Sequence, residues 1–155
     1  LFAAVPVPLR FMLKQELARV PLVGAFARSM GMVFIDRGNA RGAKRSLSAA
    51  VHLLQGGAAV VAFPEGTRSR DGRVAPFKAG ALQVAIEAGA PVVPVAIRGS
   101  GAVLPASGFR VRPGTIDVRF GAPLPTSGLQ AQDRNALARE AQARVASLLA
   151  GHGAA

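Results

Sequence analysis

The sequence contains no cysteine, no tryptophan and no tyrosine. Without thiols there is no disulfide framework and no thiolate metal site, a usage that fits a reducing compartment. Without Trp and Tyr, recognition of nucleic acid by stacking bases on aromatic side chains has little to work with. Acidic residues are scarce too: 8 Asp and Glu stand against 19 Lys and Arg, a net charge of +11. No uninterrupted apolar run is long enough to span a bilayer. The first residue is Leu1 rather than Met, and it falls in mid-pattern, so a piece of a longer protein is expected.

The 155 residues that are present suffice for one domain with a real core, and half of them are apolar, which excludes a disordered tail. Most of the basic residues are Arg, whose planar guanidinium suits bidentate contacts to phosphate or carboxylate. Such a surplus fits nucleic acid, an anionic membrane surface, or an acidic substrate or carrier. A coding bias toward Arg, Ala and Gly explains the surface arginines equally well.

No internal repeat or linker divides the chain, and short apolar strands alternate with helix-like segments. Strands are expected at Arg10–Lys14, Met32–Asp36, Ala58–Phe63, Pro91–Ile97 and Thr115–Phe120, and helices at Pro21–Gly31, Arg41–Gln55, Lys78–Ala88 and Ala131–Leu149. The second helix is amphipathic, with Leu47, Val51 and Leu54 on one face. The last places Leu137, Ala141, Val145 and Leu148 inward. Alternation of this kind implies an α/β fold with a mainly parallel, or mixed, sheet flanked by helices.

In a parallel sheet the C-terminal strand ends share one edge, where ligands usually bind. The first four strands end at Lys14, at Asp36 and Arg37, at Pro64 to Arg68, and at Arg98. Four successive basic ends arise by chance on the order of one time in a hundred at this composition. The simplest reading is an anion pocket, most simply for phosphate.

The stretch FPEGTRSRDG, Phe63 to Gly72, is the most specific feature. Gly66 permits a tight turn or the close approach of a ligand. Thr67, Arg68, Ser69 and Arg70 supply donors. Glu65 either pairs with Arg68 to hold the loop or faces a ligand. Phe77, Lys78 and Gly80 then open the next helix, and a lysine at a helix start is unfavourable unless an anion sits there as well.

These residues stand in the order and spacing of the motifs of the glycerolipid acyltransferases, and the chain most resembles the bacterial 1-acylglycerol-3-phosphate acyltransferases. Lys14 to Leu17 resembles K-x-E-L, Phe34 to Arg37 resembles F-I-D-R, and Phe63 to Ser69 resembles F-P-E-G-T-R-S. Phe77, Lys78 and Gly80 resemble F-K-x-G, and Val93 to Ile97 resembles V-P-V-x-I. Residues 9–98 or so carry the likeness.

The resemblance implies transfer of a fatty acyl group from acyl-coenzyme A or acyl carrier protein to a lysophospholipid, foremost 1-acylglycerol-3-phosphate, giving phosphatidic acid. It implies no cofactor and no metal. It puts Arg37 and Arg68 on the acceptor phosphate, with Lys14 and Lys78 as further candidates. Glu65 would fix the glycerol, Gly66 and Thr67 would shape the loop, and Pro94 would lie on the acyl-donor side unless it is a sheet-edge or bulge proline. The family's general base is the His of an H-x-x-x-x-D motif. That motif is expected before Leu1, so the 155 residues alone are expected to be inactive. His52 reads as a helix-surface or packing residue and His152 as part of a solvated tail. The family works at membranes, which implies the cytoplasmic face of an inner membrane, with peripheral attachment or an N-terminal anchor. Pro21 to Phe34 is a candidate contact segment, although a plain core helix and strand explain it as well.

Two other classes compete. A nucleic-acid-binding module leaves FPEGTRS unexplained, and no nucleic-acid partner is expected. A non-catalytic phosphate- or phospholipid-binding relative differs only in residues upstream of Leu1.

Overall fold

Apolar runs at Leu9–Lys14 (β1), Val33–Ile35 (β2) and Ala59–Val61 (β3) form a three-stranded sheet in the order β2-β1-β3. Both ladders are parallel: Lys14 stands opposite Ile35, and Phe11 opposite Val61. The computed structural model describes residues 5, 7–36, 38–69, 72–105 and 110–151. Parallel neighbours need crossover connections. The first is a 3₁₀ turn at Gln15–Arg19 followed by helix α1, Val23–Ser29. The second is helix α2, Ala40–Gln55, which carries the chain past β1 to β3. The three C-terminal strand ends therefore lie along one edge.

Helix α2 begins where Asn39 turns its side chain back to accept the Arg41 N–H at 3.0 Å. Its apolar face, with Leu47, Ala50, Val51 and Leu54, packs against Val33, Ile35 and Val60 of the sheet, as the 3.6-residue period requires. Helix α3, Gly80–Ala88, is apolar on two sides. Val84 joins that first cluster, while Leu82 and Ile86 join a second one with Leu124 and the α5 residues Leu137, Ala138 and Ala141. Helix α5 spans Arg134–Ala150, and Leu137, Ala141 and Val145 are buried at four-residue intervals; Leu148 is half-buried. Gly89, at φ 64°, closes α3 with the reversed-chain bonds typical of a glycine stop: Gly89 N–H to Ile86 and Ala90 N–H to Ala85.

Three expectations need correction. Strand β4, Val95–Arg98, pairs antiparallel with β5, Asp117–Phe120, in a separate two-stranded ladder beside the parallel sheet, so Arg98 is not hydrogen-bonded into the row of Lys14 and Ile35. A short helix α4, Ser100–Val103, lies between β4 and β5. Strand β3 is half-buried and stops at Val61, because Phe63 and Pro64 already belong to a turn. Helix α3 starts at Gly80, which leaves Lys78 just outside its first turn.

Candidate functional site

Continuing the two registers by residue offset brings Ile35, Lys14 and Pro64 level across the sheet. The edge beyond that row is where the motif residues gather. Lys14 is the exposed last residue of β1, and Asp36 follows β2 directly. Arg37, Arg70 and Asp71 lie outside the described residues, as does His152.

The loop after β3 is built from its turn upward. The Gly66 N–H donates to the Phe63 carbonyl at 3.0 Å, with Gly66 at φ 72°, so the turn carries proline at its second place and glycine at its fourth. The Phe63 ring stacks on Phe11 of β1, centroids 6.3 Å apart and planes 20° from parallel, which fixes the loop's root to the sheet. At the far end the Lys78 N–H donates to the Pro64 carbonyl at 2.9 Å and closes the loop's base. Within it, Glu65 Oε2 accepts the Ala75 N–H at 2.8 Å, and the Ser69 hydroxyl donates to the Arg73 carbonyl at 3.0 Å.

Glu65 thus holds the loop, as one of its two readings required, but through a backbone N–H and not through Arg68. Arg68 Nη1 donates instead to the Pro105 carbonyl at 3.1 Å, tying the loop to the segment after α4. Thr67, Arg68 and Lys78 are exposed, and Glu65 and Gly66 are half-buried. Pro94 is buried away from this edge's ladder. Val95 faces Phe120 but Val92 faces Leu124, so two residues on one side oppose three on the other, a bulge. The Pro94 carbonyl accepts the Gly121 N–H there at 2.8 Å, which gives Pro94 a sheet role. His52 is exposed in the last turn of α2, the end that leads back to the start of β3 and so lies away from the site edge.

Asp36 had no role assigned from sequence. Its Oδ1 accepts the Gly38 N–H at 3.0 Å, and its Oδ2 lies so close to Gly42 that a Cβ there would approach to 2.7 Å. The carboxylate therefore rests on the first turn of α2, where the helix dipole favours it. The sequence signal was the pairing of Asp36 with a glycine six residues on, at the third helical position.

Chemically, the edge offers exposed Lys14, Arg68, Arg73 and Lys78, while the Asp36 and Glu65 carboxylates are engaged by backbone N–H groups. Such an edge can hold a phosphate against several charge-assisted donors. Among the described residues no group of three or more His, Cys, Asp or Glu is arranged to hold a metal ion. No described helix is long and apolar enough to cross a membrane.

Comparison with known proteins agrees with this geometry. A family model described as Acyltransferase matches residues 1–98. The chain is 40% identical over 96 residues to 1-acyl-sn-glycerol-3-phosphate acyltransferase BAT2, chloroplastic, of Brassica napus, covering 62% of this chain and 28% of that protein. It is 36% identical over 122 residues to the 1-acyl-sn-glycerol-3-phosphate acyltransferase of Pseudomonas aeruginosa, covering 78% and 47%. The chain thus spans less than half the length of these curated relatives. The crystal structure of the 1-acyl-sn-glycerophosphate acyltransferase PlsC from Thermotoga maritima superposes with a TM-score of 0.76 at 30% identity, over 96% of this chain and 58% of that one. Relatives in plants, a bacterium and sheep show that the likeness is not confined to bacteria.

Proposed function

The chain belongs to the acyltransferase family, and on that premise we propose that its protein transfers a fatty acyl group to 1-acylglycerol-3-phosphate, giving phosphatidic acid. The observation that carries the reading is the FPEGTRS loop, braced at the C-terminal edge of a parallel sheet beside Lys14. The named relatives support the choice of acceptor.

In the proposed reaction the acceptor's free hydroxyl oxygen attacks the thioester carbonyl of acyl-coenzyme A or acyl carrier protein. The new C–O ester bond forms, the C–S bond breaks, and the proton lost by the hydroxyl ends on the departing thiol. The family's histidine base would take that proton first. The residues of this chain work on the other end of the acceptor. Arg37, Arg68, Lys14 and Lys78 neutralise the phosphate, Gly66 and Thr67 shape the loop around it, and Glu65 keeps the loop closed. An anionic membrane surface is the proposed place of work, since both acceptor and product are lipids.

The test is to incubate the full-length protein with labelled acyl-coenzyme A or acyl carrier protein and lysophosphatidate. Labelled phosphatidic acid with release of one free thiol per ester is expected. Thiol release by hydrolysis alone, with no phosphatidic acid, would overturn the reading.

A further inference from the structure

Helix α1 is built inside out. Its small residues, Gly24 and Ala27, are buried, and its large apolar ones face solvent. A surface helix that only served the core would show the reverse. Leu17, Val20, Leu22, Val23 and Phe26 form one exposed apolar ridge over the 3₁₀ turn and α1, with Leu22 85% and Phe26 61% exposed.

The backbone is strained to make this ridge. Leu22 sits at φ 63°, ψ −51°, and the Val23 N–H donates to the Pro21 carbonyl at 2.7 Å. That is a γ-turn of the rare hand, unfavourable for a branched side chain. Leu22 is the only non-glycine at positive φ among the described residues, and the strained turn holds up its most exposed large apolar side chain. Strain kept where it displays a side chain points to use of that side chain.

The platform beneath is rigid. A Cβ on Gly24 would collide with the Ala18 carbonyl, so only glycine lets α1 lie this close to the 3₁₀ turn. Arg28 Nη1 clamps the same carbonyl at 3.0 Å. Cations border the ridge: Lys14, Arg19 and Arg28 are exposed there, against the single acid Glu16. The 3₁₀ turn also leaves β1 at the edge that carries the FPEGTRS loop.

We propose that this ridge is a membrane-docking surface: Leu22, Val23 and Phe26 enter the headgroup–acyl boundary of an anionic bilayer, and Arg19 and Arg28 meet its charged headgroups. Apolar side chains ringed by cations match that boundary in chemistry. The proposal rests on the acyltransferase reading for its reason, since docking here would set the substrate edge against the layer that holds the acceptor.

These 155 residues contain no Trp or Tyr, so a Trp added to them in the full-length protein reports on its own position. Leu22→Trp, Phe26→Trp and, as an exposed control at the end of α2 away from the site edge, His52→Trp are mixed with vesicles of phosphatidylcholine and phosphatidylglycerol in equal parts. The added fluorescence is read as the difference from the parent protein. A blue shift, with quenching by bromine-labelled lipid, is expected at positions 22 and 26 and not at 52. Leu22→Asp with Phe26→Asp should lower vesicle partition by about tenfold or more. The proposal is overturned by vesicle binding without a shift at 22 or 26, by no vesicle binding at all, or by a concentration-dependent shift without lipid, which would mean a second copy covers the ridge. Turnover separates it from the functional reading. The Asp variant should keep its rate on short-chain lysophosphatidate free in solution and lose it on vesicle-held acceptor. No turnover on either acceptor, with the fluorescence shift intact, would sink the acyltransferase reading and leave the docking surface standing.

Discussion

The Glu65 carboxylate and the Ala75 backbone N–H are joined by a 2.8 Å bond across ten residues of the FPEGTRS loop. An acid in a basic loop thereby serves as a loop closure.

Glu65→Ala should leave the half-buried Ala75 N–H without its acceptor, at a cost of about 1–3 kcal/mol, whereas Glu65→Gln keeps an oxygen in place and should cost less. Denaturant midpoints and amide exchange at Ala75 measure both. The acceptor KM should rise in the Ala variant by more than the loss of folded protein explains. Unchanged exchange at Ala75 would contradict the brace.

Three glycines should respond in a fixed order. Gly24→Ala meets the immovable Ala18 carbonyl and should be the most destabilising. Gly42→Ala brings a Cβ within 2.7 Å of Asp36 Oδ2 and must displace that carboxylate from the Gly38 N–H. A loss of about 1–3 kcal/mol from crowding then outweighs the roughly 1 kcal/mol gained in helix propensity. Gly80→Ala has nothing within 4 Å and should stabilise α3 by up to about 1 kcal/mol. Thermal melts of the three variants check the ranking.

His52→Ala should leave turnover within error of the parent. His52 is exposed at the far end of α2, and its removal costs only a favourable cation near a helix C-terminus, about 0.3–1 kcal/mol when protonated. A loss of turnover above about a hundredfold, the scale of a missing general base, would place the base on α2 instead.

The sequence made legible what local chemistry decides. The period of Leu47, Val51 and Leu54 found the core face of α2, and Leu137, Ala141 and Val145 found that of α5. The FPEGTRS turn was readable because proline and glycine carry their backbone preferences with them. Pairing partners were not readable. The antiparallel fit of β4 to β5, and the bulge that accommodates Pro94, depend on contacts from Val92 to Leu124, which no local pattern encodes. The same limit hid Glu65's true partner: Arg68 is nearer in sequence, but the turn at Gly66 sends the two side chains to Ala75 and Pro105. The exposed apolar face of α1 stood in the sequence only as one of two readings of Pro21 to Phe34, because an apolar helix reads equally well as core until its exposure is known.

The most direct measurement compares acceptors in the full-length protein: acyl transfer to 1-acylglycerol-3-phosphate against the same lipid without its phosphate, in the parent, in Arg68→Ala and in Arg139→Ala on the exposed side of α5. A lost charge-assisted contact is worth about 1.5–3 kcal/mol, so Arg68→Ala should cut kcat/KM for the phosphorylated acceptor by roughly ten- to over a hundredfold. It should leave the rate on the phosphate-free lipid unchanged, and Arg139→Ala should behave as the parent. Equal losses in both variants, or no preference for phosphate in the parent, would contradict a phosphate site at this edge of the sheet.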